Sequence, residues 1–95
     1  MIVAEPTTQR IANVAHSMAE EVFRGDYASA QYHLKNLRAL LSIHSAQGFM
    51  DGDDKDEIDR VVDDIDASLY YGRVRAREEM QRLLDLLVKN SIPLR

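Results

Sequence analysis

Ninety-five residues, 45% of them hydrophobic and only two of them proline, describe one folded domain with a modest core rather than a disordered chain. The lack of cysteine excludes disulfides and thiolate metal sites, and no apolar run approaches the ~18 residues that would span a bilayer. Met1 to Pro6 has no basic stretch of the secretory kind, so a cytoplasmic location is expected.

The net charge of −4 is unevenly spread. Residues 1–50 carry four acids and four bases. Residues 51–66 carry nine acids against Lys55 and Arg60, a net −7, and residues 67–95 carry three acids and six bases, a net +3. The middle block would repel nucleic acid and would suit a basic partner.

In chain order, Met1 to Pro6 reads as an extended arm. Ile11, Val14, Ala15, Met18, Val22 and Phe23 then repeat at helical spacing, which predicts a helix over 8–24. Gly25 supplies its stop and Asp26 a cap for the next helix, over 27–46, with Ala30, Leu34, Leu37, Leu40, Leu41 and His44 inward. The two-residue connection makes these an antiparallel hairpin. An acidic loop follows over 48–55, with Phe49 and Met50 as apolar anchors and Asp53 or Asp54 as the next cap.

From there a stripe of Ile58, Val62, Ile65, Leu69, Gly72, Ala76, Met80, Leu83 and Leu87 advances in steps of three and four, the seam of a packed helix. One helix over 56–91 is expected, kinked at most at Gly72, and Pro93 lies beyond its end. Such a helix would be roughly 52 Å long and would overhang a domain of this size, exposing Val74, Met80, Leu83, Leu84, Leu86 and Leu87 to a second chain. The alternative is a tight turn at Gly72 that splits the stretch. An echo at a 47-residue offset favours the turn: Ile11, Val14, Met18, Val22, Phe23 and Gly25 match Ile58, Val61, Ile65, Leu69, Tyr70 and Gly72. No alternating strand pattern is present, so the fold class is all-α: a small helical bundle in a single domain, 1–95.

Gly25-Asp26-Tyr27 followed by Ala30 resembles the turn of a tetratricopeptide hairpin. The likeness covers about 30 residues and lacks that repeat's tryptophan and closing proline. Arg38 and His44, six positions apart, resemble the Arg and His of small helical ribonucleases of the HEPN group. The resemblance implies a proton moved by His44 and a phosphate steadied by Arg38.

Metal signatures fail on inspection. Starting a calcium loop at Asp51 puts Lys55, Asp56 and Val62 where a ligand, a glycine and a bidentate glutamate belong. His33 and His44 lie eleven residues apart on one helix, roughly 16 Å, too far to share an ion. No metal or other cofactor is expected.

The leading expectation is a non-enzymatic interaction module that self-associates as a homodimer through Leu69, Gly72, Arg73, Ala76, Arg77, Met80, Leu83 and Leu87. A second is an acidic inhibitor, of the type of phage-encoded antagonists. It would occupy the basic surface of a nucleic-acid-binding protein through Asp51, Asp53, Asp54, Asp56, Glu57, Asp59, Asp63, Asp64 and Asp66. The ribonuclease reading of Arg38 and His44 is third.

Overall fold

In the computed structural model, which describes residues 6–94, the chain forms four helices: α1 (Pro6–Arg24), α2 (Tyr27–Ala46), α3 (Gly52–Tyr70) and α4 (Arg75–Lys89). Consecutive helices pack on each other and α1 closes against α4, giving a bundle of 43 × 24 × 19 Å. The all-α bundle expected from periodicity is what forms.

Each helix contributes one apolar face. From α1 come Ile11, Ala12, Ala15, Met18, Ala19 and Val22; from α2, Ala30, Leu34, Leu37 and Leu41. The alanines let these two backbones approach closely along the hairpin. Ile58, Val61, Val62, Ile65 and Leu69 of α3 and Ala76, Met80, Leu83, Leu86 and Leu87 of α4 complete the core. Met50 plugs it from the α2–α3 loop, where Phe49, expected as a second anchor, is instead 56% exposed, and Ile92 and Leu94 plug it from the segment after α4.

The single helix expected over 56–91 is not present; the chain turns at Gly72. Gly72 sits at φ +65, where its N–H donates to Leu69 O at 3.3 Å and the Arg73 N–H donates to Ser68 O at 2.8 Å. That pair of bonds is the Schellman stop, which satisfies the last carbonyls of α3. A continuous helix from Gly52 to Lys89 would run roughly 57 Å and leave Met80, Leu83, Leu86 and Leu87 in water. Folding back buries all four, at about 1.5–3 kcal/mol each. The few helical hydrogen bonds given up at the turn are worth about 1 kcal/mol each, and the Schellman bonds replace part of them. Burial wins.

The 47-residue echo therefore marks a real correspondence in structure. The Gly25 N–H donates to Val22 O at 3.1 Å and the Asp26 N–H to Glu21 O at 2.8 Å, the same two bonds one repeat earlier. Other boundaries shift slightly. α1 begins at Pro6, a position whose missing N–H would have no helical partner in any case. The remainder of the expected arm, Met1 to Glu5, lies outside the described residues.

The cap expectations are met at one helix and corrected at another. Asp26 caps α2, accepting the Ser29 N–H at 3.4 Å. Hydrogen bonding from the Ser29 side chain, then from its N–H, with Arg24 beside them, holds the Asp26 carboxyl below its ordinary range. α3 begins earlier than expected, at Gly52 after Asp51. Asp53 and Asp54 are thus not its caps; they fall in its first turn, where carboxylates complement the helix dipole.

The fourth helix ends on the same pair of bonds, the Ser91 N–H to Val88 O at 3.0 Å and the Ile92 N–H to Leu87 O at 2.9 Å, but with Ser91 at φ +67 in the glycine position. A serine there carries steric strain that glycine avoids. Ser91→Gly should raise stability by about 0.5–1 kcal/mol, a rise in Tm of a few degrees. A melting curve at or below wild type would contradict the left-handed geometry at Ser91.

A candidate interaction surface at the α3–α4 turn

The break at Gly72 changes what the charges of the C-terminal half mean. Along one long helix, acids early and bases late would complement a single macrodipole. In two helices the ends are mixed: Asp53 and Asp54 in the first turn of α3, and Glu78 and Lys89 in the first and last turns of α4, complement the dipoles, whereas two arginines at the start of α4 oppose its own. Asp63, Asp64 and Asp66 fall in the C-terminal half of α3, whose last turn holds no base, and Arg75 and Arg77 fall in the first turn of α4. Helix stability therefore explains the acids that open α3 but not Arg75 and Arg77 at the start of α4.

The start of α4 departs from good helix chemistry in a second way. Val74 occupies its cap position, where no side chain accepts a hydrogen bond. The first turn is instead tightened by bonds from the Ala76 N–H to Arg73 O and from the Arg77 N–H to Val74 O, both 3.1 Å. A capping Ser or Asp would ordinarily contribute about 0.5–2 kcal/mol at such a place.

What stands in its stead is apolar and aromatic. Tyr70, Tyr71 and Val74 are 74%, 65% and 75% exposed. The two tyrosine rings meet edge to face at 5.0 Å, and the Arg73 guanidinium lies 5.0 Å above the Tyr71 ring. Tyrosine and arginine held against each other, with an exposed aliphatic residue beside them, are the composition of protein contact surfaces. Departures from local stability rules gathered at one turn mark a place shaped by something other than folding.

Next to this corner runs the acidic side of α3. Asp51, Asp53, Asp56, Asp63, Asp64 and Asp66 are exposed, and Asp54, Glu57 and Asp59 half-buried. Two bases hold part of the set. Arg38 on α2 pairs with Asp63 at 2.8 Å and Asp66 at 3.6 Å, and Lys55 pairs with Asp59 at 2.7 Å. Between α3 and α4, the buried Ser68 hydroxyl donates to the Glu79 carboxylate, fixing the register of the second hairpin.

The residues expected to form a self-association seam divide by burial. Leu69, Ala76, Met80, Leu83 and Leu87 are buried in the chain's own core, while Gly72, Arg73 and Arg77 are exposed at or near the turn. The seam expected to need a second chain closes within one, because α4 folds back along α3. Of the apolar residues assigned to the overhang, Val74 alone is left exposed; Leu84 is half-buried and the others are inside.

Arg38 and His44 are not brought around a shared opening. His44 is buried and stacks on Phe49 at 5.4 Å, whereas Arg38 reaches outward to the α3 carboxylates. His33 bonds to Glu21 on α1 at 2.6 Å through Nδ1, and His16 lies on the exposed side of α1. Among the described residues no three His, Asp or Glu side chains cluster as a metal site would require, and no helix is long and apolar enough to cross a membrane.

The sequence contained a signal for the corner that periodicity hides: adjacent Tyr70 and Tyr71 followed within three residues by Gly72, Arg73 and Val74. The whole chain was compared with known protein families, curated proteins and solved structures, and none matches it.

Proposed function

We propose that this protein is a non-enzymatic protein–protein interaction module whose contact surface is the α3–α4 corner of Tyr70, Tyr71, Arg73 and Val74. The observation that carries the reading is the exposure of three large apolar or aromatic side chains at one turn, two at the end of α3 and one at the start of α4, which forgoes its cap. The adjoining carboxylates and arginines would form the polar rim that orients a partner.

A second reading, the acidic inhibitor, draws support from the run of solvent-facing carboxylates on α3. Asp51, Asp53, Asp56 and Asp64 stand exposed without an ion pair among the described residues. Carboxylates spaced along a helix can mimic the phosphates that a basic groove binds.

One experiment separates the two. Tagged wild type, a corner variant (Tyr70→Ala, Tyr71→Ala, Val74→Asp) and an acid variant (Asp53, Asp56, Asp59 and Asp63 to Asn) are used to capture proteins from nuclease-treated lysate. The corner reading expects retention to fall at least tenfold in the corner variant and to survive in the acid variant. Val74→Asp places a carboxylate at a helix N-terminus, so this substitution should not weaken the fold. Retention lost instead in the acid variant, with a nucleic-acid-binding protein released by moderate salt, would favour the inhibitor. Undiminished retention by the corner variant would remove the first reading.

A further inference from the structure

The second hairpin carries a charge pattern that complements itself. The Ser68–Glu79 bond places these two residues side by side on antiparallel helices. A position before Ser68 on α3 is then level with one as far beyond Glu79 on α4. On the outer side of α3, Glu57, Arg60, Asp64 and Tyr71 share one face, at helical steps of three, four and seven. On the outer side of α4, Arg75, Arg82, Asp85 and Lys89 share one face, at steps of seven, three and four.

Level by level, within one or two residues, Tyr71 stands beside Arg75, Asp64 beside Arg82, Arg60 beside Asp85 and Glu57 beside Lys89. Each of the three doubly charged levels joins opposite signs, including the third, where acid and base exchange sides. Glu78 stands level with the uncharged Ala67. None of these pairs comes within 4 Å as an ion pair in the single chain among the described residues, and all of the side chains except half-buried Glu57 are exposed.

We propose that the α3–α4 face, with Tyr71 at its corner end, binds a second copy of this chain about a two-fold axis running parallel to the helices. This rests on the corner reading above and names the partner. Rotation about such an axis lays α3 of one copy over α4 of the other at the same level. Asp64 then meets the second copy's Arg82, Arg60 its Asp85, Glu57 its Lys89, and the Tyr71 ring its Arg75. An axis across the helices at the level of Asp64 would instead set α3 on α3 and α4 on α4, bringing Asp64 against Asp64 and Arg82 close to Arg82, so charge favours the parallel one. The interface is isologous, and each contact occurs twice.

Size sets the expected strength. A helix of 19 residues, about 28 Å long, beside a second at about 10 Å gives a face of roughly 550 Å² per copy. Two such faces lie at the low end of specific interfaces, which points to a reversible dimer in the micromolar range that high salt loosens.

The test is sedimentation velocity on the purified full chain from about 5 to about 300 µM, at roughly 100 mM and roughly 500 mM salt, with circular dichroism to confirm folding. Wild type should shift from monomer toward dimer with concentration at the lower salt and less at the higher. Asp64→Arg and Arg82→Asp are surface changes, and each should weaken the association at least tenfold, because each sets like charges together twice. An equimolar mixture of the two variants should recover it. The arginine introduced in one chain then faces the aspartate introduced in the other, and the unaltered Arg82 of the first faces the unaltered Asp64 of the second.

Failure of the mixture to recover, or single variants that associate as wild type does, would overturn the two-fold arrangement. A wild type that stays monomeric throughout, while the corner variant still loses its captured proteins, would overturn the second copy and leave the corner reading standing. A monomeric wild type with undiminished capture by the corner variant would overturn both.

Discussion

Leu83→Glu should unfold this protein rather than divide an oligomer. Leu83 is fully enclosed, with Met80, Leu87 and the facing residues of the bundle in the same core. Truncating such a residue to alanine costs about 2–5 kcal/mol, and a carboxylate in its place adds the cost of burying a charge without a partner. A domain of this size is stable by about 5–14 kcal/mol in total, so the glutamate variant should lose its cooperative melt. The milder Leu83→Ala should remain folded with a urea midpoint well below wild type. Far-UV circular dichroism with urea titration reads both. A Leu83→Glu protein that melts like wild type would mean that Leu83 faces solvent, as the overhanging helix expected from sequence would have it.

Gly72 provides the second large effect, and the order of its substitutions distinguishes two explanations of the residue. A Cβ at Gly72 would meet nothing within 4 Å, so space is not the constraint; the backbone at φ +65 is. Gly72→Ala should therefore cost about 1–2 kcal/mol and Gly72→Leu no more, because the added bulk points into solvent. Gly72→Val should cost more than either, since branched residues tolerate this conformation worst, and Gly72→Asn should come closest to wild type. On a close-packed seam the order would follow size, with alanine mildest and leucine worst. Urea melts of the four variants decide it, and leucine far below alanine would restore the seam. Alanine also strengthens the continuous helix that the turn interrupts, so a swapped dimer in which α4 packs on another copy is the expected by-product at high concentration.

The charge pattern shows how a local reading can mislead. Acids before Gly72 and bases after it suggested one dipole complemented at both ends. Once Gly72 turns the chain, Arg75 and Arg77 crowd the start of a helix and Asp63, Asp64 and Asp66 lie toward the end of another. Arg75 and Arg77 thereby lose the explanation that a single dipole offered, while Asp63 and Asp66 gain another in the ion pairs they make with Arg38.

The sequence by itself determined the helical class, the first hairpin with its Gly25 stop and Asp26 cap, and the apolar stripe that runs along each stretch of helix. Those properties rest on periodicity and on the backbone preferences of a few residues, which are local. It also held the acidic character of residues 51–66 and the two alternatives at Gly72. Tertiary structure decided between those alternatives. A helix propensity of about 1 kcal/mol at one residue is outweighed by four large side chains that reach the core only if the chain folds back. With that choice made, Met80, Leu83 and Leu87 became interior, Val74 and the tyrosines became surface, and Glu57, Arg60, Asp64 and Tyr71 came level with Lys89, Asp85, Arg82 and Arg75. No pattern along one helix contains that pairing, because it exists only between two helices laid side by side.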